Sequence, residues 1–203
     1  MDKSLLRRYF LMGPVMVLAL GCGGGGGGTT PTTPTAQATP TPQASPAATP
    51  PPAVTTIRDD AGFFQLVTRD DPFSAYRLLP NTEEFTTGRL DGSEAHRPVV
   101  KVTLNAIAFG ALQNGKLPPG GKFPNGSIVF KQISDRAGAA PSLYAVMRKD
   151  DGGGLSGAGW QWAEYRPDGS VAFSISSRGS VCTSCHMRQQ GPQNDLVRTF
   201  ERQ

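Results

Sequence analysis

Two of the chain's three cysteines and one of its two histidines fall within five consecutive residues, Cys182-Thr-Ser-Cys185-His186. Random placement at this composition would produce a CxxCH run with an expected frequency on the order of 4 in 10,000. Two thiols three residues apart share one turn of helix, so both reach the vinyl groups of one haem as thioethers. The next residue turns its imidazole onto the iron. The spacing therefore reads as one covalently attached c-type haem per chain, with Cys182 and Cys185 as the attachment points and His186 as the iron ligand. Rival chemistries fit less well. A thioredoxin-like CxxC opens a helix in a βαβ context, and no such context is visible. Structural zinc needs a fourth ligand, for which His96 is the other histidine, and an iron–sulfur cluster needs more cysteines. Zinc or thiol redox chemistry stays as a remote alternative.

The opposite side of such an iron has few candidate ligands. Met1, Met12 and Met16 fall in a leader, and Met187 adjoins His186 and cannot reach that side. Met147 and His96 remain. Met147 lies in an apolar strand and reads as core filler. His96 reads as a polar edge residue. An open sixth position is the expected arrangement.

The N-terminus explains how such a group is delivered. Lys3, Arg7 and Arg8 precede the apolar run "LMGPVMVLAL", which is too short for the roughly 20 residues a membrane span needs. Residues 1–21 read as an export signal. "LALGC" resembles the lipobox of bacterial lipoproteins, with Ala19 where Leu is commoner, so Cys22 is the expected lipidated N-terminus. Residues 22–56 then form a Gly/Thr/Pro tether. After Cys22 it holds eight prolines and no charged residue, a composition that cannot bury enough surface to fold. Fully extended, it would reach about 100 Å at ~3.1 Å per residue. The haem domain, residues 57–203, is thus expected in the periplasm, lipid-anchored to a bacterial membrane, with the outer membrane as the candidate. Of 20 basic and 16 acidic residues, Lys3, Arg7, Arg8 and Asp2 leave with the signal, so 17 face 15 and the net charge is +2. No basic run with interleaved aromatics exists, which excludes a nucleic-acid partner.

Elements able to position the site are mostly strands. "DDPFSAYRLLP" reads as a short helix capped by Asp71, and "RPVVKVTLN" as a strand leading into a helix over "AIAFGALQNG" that Gly115 ends. "GSIVFKQIS" alternates Ile128, Phe130 and Gln132 against Val129, Lys131 and Ile133. "SLYAVMRKD" is a further strand, and "GWQWAEYRPDGSVAFSIS" a hairpin. "NDLVRTFERQ" reads as a terminal helix capped by Asn194, with Leu196, Val197 and Phe200 in one stripe. The fold class is mainly β (α+β), an antiparallel sheet with a few short helices.

With these pieces in order, the chain resembles the cytochrome P-460 family, which includes cytochrome c′-beta. The similar stretches are "HRPVVKVTLNAIAFGALQNGKLPPGGKFPNGSIVFKQI", "LYAVMRKD", "GWQWAEY", "CTSCH" and "NDLVRTF", spanning most of residues 60–203. The resemblance implies an antiparallel β fold, often a homodimer, with five-coordinate haem. In the P-460 branch a lysine on the strand after "FPxG" is cross-linked to the porphyrin and hydroxylamine is oxidised; the matching residue is Lys131. In the c′-beta branch the haem binds nitric oxide or carbon monoxide without a cross-link. Gln132 stands where the family often has Glu. Lys131 otherwise lies on an apolar face, over which its stem extends. Glu164 shares a strand face with Trp160 and Trp162 and reads as a solvated edge charge. Three functions follow: a tethered haem protein binding a small ligand, a P-460-type oxidoreductase, or a periplasmic electron-transfer cytochrome with an unidentified redox partner.

Overall fold

The run Val99–Leu104 has four β-branched residues of six, and such residues pack best on a pleated, half-buried surface. In a computed structural model, which describes residues 55–88 and 96–202, it is a central strand of an antiparallel sheet. The leader over 1–21, Cys22 and the tether up to Val54 lie outside the described residues. Among the described residues no helix is long and apolar enough to cross a membrane.

The sheet has seven strands among the described residues. They are β1 (Arg77–Leu78), β2 (Thr86–Thr87), β3 (Val99–Leu104), β4 (Ile128–Ser134), β5 (Leu143–Lys149), β6 (Trp160–Tyr165) and β7 (Val171–Phe173). β3 to β7 pair in sequence order, and β1 and β2 share the outer edge of β3. The chain is thus mainly β and antiparallel, as its alternating strands predict.

Register gives the two faces different cores. On one face Leu104, Val129, Met147 and Trp162 form a row, followed by Val102, Lys131, Ala145 and Glu164. This face packs against Leu196, Val197 and Phe200 from the C-terminal segment. On the other face Phe130, Val146 and Ala163 pack against Phe63, Leu66 and Val67. Those come from α1 (Asp60–Gln65), which Asp59 caps by accepting from Gly62 N at 2.7 Å, and from the wider turn Leu66–Asp70. Arg148, buried on this face, donates to Gln161 and to the Thr55 carbonyl, so the chain is already held two residues before Ile57.

Three local expectations change. The helix expected from Pro72, capped by Asp71 and ending before Pro80, is one tight turn, Phe73–Ala75. Phe73 stacks on Phe130 at 4.4 Å, and the chain must then extend as β1 to join the sheet. Asp71 accepts from Asn105 Nδ2 at 2.9 Å and caps nothing. The next helix, α2 (Ala106–Gly110), stops before Gly115. Asn105 caps it by accepting from Ala108 N at 3.0 Å, while Gln113 and Lys116 close a separate turn around Gly115. At the C-terminus, Asn194 caps no α-helix. Short turns at Pro192–Asn194 and Arg198–Arg202 are separated by Asp195 and Leu196 in left-handed conformations, because the Asp195 carboxylate is drawn into the core by charged partners.

Candidate functional site

Gly179 starts the turn that carries the CxxCH residues. Its φ is +66°, and a Cβ there would stand 2.3 Å from the Trp162 ring, so only glycine fits. Its carbonyl accepts from Thr183 N at 2.9 Å and from Thr183 Oγ1 at 3.0 Å, which secures the first turn of α3 (Cys182–His186). Cys182 and Cys185 lie on this one turn, half-buried and unbonded to each other. The buried Arg198 guanidinium holds Cys185, reaching its Sγ at 3.1 Å while making a two-pronged ion pair with Glu201.

Burial, reinforced by the Glu164 charge, pushes the Cys182 thiol up to about 11. A thiol kept protonated is a poor redox nucleophile, so Cys182 is not set up to attack a disulfide. Among the described residues no group of three or more His, Cys, Asp and Glu is arranged to hold a metal ion. Zinc therefore has no ligand set there.

His186 donates its Nδ1 proton to the Leu196 carbonyl at 2.6 Å, which leaves the lone pair on Nε2. The ring meets Trp162 edge-on, 4.8 Å between centroids. Burial first, then the Lys131 charge, lowers His186 to about 3, so the imidazole is neutral and able to ligate.

α3 borders a cavity of about 370 Å³, whose apolar lining includes Val129, Met147, Trp162 and Val197. The same cavity receives His96, Lys131 and Glu164. Lys131 on β4 and Glu164 on β6 face the same way, separated by the small Ala145 on β5. His96 bridges them, with Nε2 at 3.0 Å from Glu164 Oε1 and Nδ1 at 3.1 Å from Lys131 Nζ. Burial and the Lys131 charge lower the His96 pKa despite Glu164, so the ring is neutral. A carboxylate only accepts, so Nε2 carries the proton and Nδ1 accepts from Lys131. Gly88 lets this loop close. A Cβ there would stand 1.2 Å from the His96 carbonyl oxygen.

A family model described as cytochrome P460 matches residues 82–199, more than half of the chain. The chain belongs to the cytochrome P460 family. No curated protein matches it. As a cytochrome P460 it is a haem protein with redox or small-ligand chemistry. The site fits that group: a neutral imidazole with its Nδ1 committed and its lone pair on Nε2, two thiols on one turn, and an apolar-walled cavity beside them. Every functional side chain just described falls inside the matched segment.

The structure brings Cys182, Cys185, His186 and Lys131 to one cavity. It also brings His96 and Glu164, which sequence reasoning assigned to exposed edges. Their side chains are only 19% and 24% exposed. The register of Glu164 with Ala145 and Lys131 was the available signal for the acid. Nothing local marked His96, which arrives on a loop. Met147 lies in the row of Trp162 and packs in the core, as its apolar strand suggests.

Proposed function

We propose that this cytochrome P460 is a membrane-tethered c-type haem protein whose iron is ligated by His186 and open on its other side to a small nitrogenous ligand, hydroxylamine or nitric oxide. Cys182 and Cys185 would hold the single haem through thioethers. When bound, the haem supplies an iron that takes a small ligand and exchanges electrons with it.

The observation carrying this reading is that one cavity presents two sets of groups. One is an imidazole with its Nδ1 already committed. The other is a polar cluster whose central ring, His96, has both nitrogens engaged. An engaged His96 must break a hydrogen bond before it can ligate iron, and Met147 is packed into the core. The protein's own contribution is then to orient the ligand and move protons. Lys131 donates, Glu164 accepts, and His96 passes a proton between them by exchanging one nitrogen's proton for the other's. Lys131 would also be the residue that contacts the haem or forms the family's cross-link to the porphyrin.

Export, lipidation at Cys22 and the long tether complete the proposal, putting the domain in the periplasm on a lipid anchor. Exposed Val181 and Met187, 65% and 55% accessible, flank α3 and favour a second reading, docking of an electron-transfer partner at this edge.

Carbon monoxide added to the dithionite-reduced holoprotein tests the open site. Binding should be immediate and complete, with no ligand to displace. A six-coordinate ferrous spectrum before addition, with slow or partial binding after it, would overturn the open site. On the cross-linked branch, Lys131→Met should change the ferrous spectrum; an unchanged spectrum would remove that branch.

A further inference from the structure

The Leu196 carbonyl that accepts from His186 sits in an unusual stretch of backbone. Asp195 and Leu196 both have left-handed φ, +48° and +70°, and neither is glycine. Residues with a Cβ avoid this conformation, and two in succession persist only where the surroundings over-determine them.

What determines them is the Asp195 carboxylate, only 2% exposed. It accepts from Phe123 N at 2.9 Å and from Lys149 Nζ at 3.1 Å, and Lys122 approaches from the surface at 3.2 Å. Lys149 is itself 2% exposed, is the last residue of β5, and also pairs with Asp151 at 3.1 Å. On the other side, Leu196 N donates to the Gly191 carbonyl at 2.7 Å. The peptide at 195–196 is therefore clamped between the sheet and the turn that follows α3. Buried ion pairs of this kind are poor sources of stability, since apolar replacements of similar volume are often neutral or better.

We propose that the Lys149–Asp195 ion pair is a positioning device for the iron ligand: it aims the Leu196 carbonyl at His186 Nδ1. An acceptor on the far nitrogen fixes the ring's tautomer and orientation and raises its basicity as a ligand. A more basic ligand favours ferric iron. Asp195 and Lys149 are thus positioning residues that act through Leu196 and His186 without touching the haem. The inference rests on the proposed ligation by His186.

The test uses holoprotein carrying Asp195→Asn together with Lys149→Met. This pair removes opposite charges, so the net charge is unchanged and no buried charge is orphaned. The ferrous iron–histidine stretching frequency should fall and the reduction potential should rise. A rise of about tenfold in the ferrous-to-ferric balance, the change the test is set to read, corresponds to ~59 mV for one electron. Asp195→Glu, which keeps the charge pair but lengthens one arm, is the second variant, and its stretch should fall too, even where the double variant does not fold. Unmoved frequency and potential in the folded variants would overturn the positioning role. Absence of a haem band in the wild type would instead overturn the ligation reading beneath it.

Discussion

Replacing Trp162 with alanine should destabilise the protein by about 3–5 kcal/mol, the usual cost of deleting a large buried ring. The ring is 2% exposed and its Nε1–H donates to the Gly157 carbonyl at 2.9 Å. That hydrogen bond contributes only about 1 kcal/mol net, so most of the loss comes from the cavity left in the sheet. The damage should also reach the site, because the ring supports Gly179 on one side and the His186 imidazole on the other. Urea unfolding of the holoprotein measures the first effect and the ferrous spectrum the second. Trp162→Phe keeps one ring in the core but loses the N–H and part of the indole volume, so its loss should be smaller than that of alanine. A Trp162→Ala midpoint equal to wild type would show that the ring does not hold this face together.

Acid should weaken the haem-free chain more than its carboxylates alone would. His186 is lowered to about 3 and His96 is also lowered, each chiefly by burial and then by Lys131. In the unfolded chain both return to about 6.5. Between the two values the unfolded state binds more protons, so the stability is fully present above pH 6.5 and is lost as pH falls. The slope approaches about 1.4 kcal/mol per pH unit from His186, and His96 adds in the same direction. Urea midpoints of the haem-free chain between pH 7.5 and 4.5 should therefore decline steadily, above the range where ordinary carboxylates titrate. In the His96→Gln/His186→Gln variant the decline should flatten. A wild-type midpoint independent of pH over that interval would mean that the histidines are not buried neutral.

The strands were legible because their residues alternate and because both faces of the sheet are covered. Ile128 to Ser134 could be assigned face by face, and the structure gives Val129 and Ile133 one core, with Lys131 on the same face at the cavity, and Ile128 and Phe130 the other. CTSCH was legible as chemistry because rare residue types coincide within one helical turn. The polar cluster was not. Glu164 and Lys131 are two strands apart, and recognising them as neighbours needs the register through Ala145. His96 depends on the 96–98 backbone lying against Gly88, a contact with no periodic trace. The C-terminal segment misled for a similar reason. Leu196, Val197 and Phe200 do bury together, as a helical stripe would require, but the buried charge of Asp195 bends the backbone and breaks the helix. Tertiary pairing of one aspartate outweighed the helical pattern around it.

The claim on which the rest depends is that Cys182 and Cys185 carry haem covalently. The direct measurement is the mass and haem absorbance of the chain after export with c-type maturation, denaturation and acid–acetone extraction. One haem should stay with the wild-type polypeptide and none with the Cys182→Ala/Cys185→Ala variant. A wild-type chain that surrenders its haem to the solvent, or never carries any, would contradict that claim.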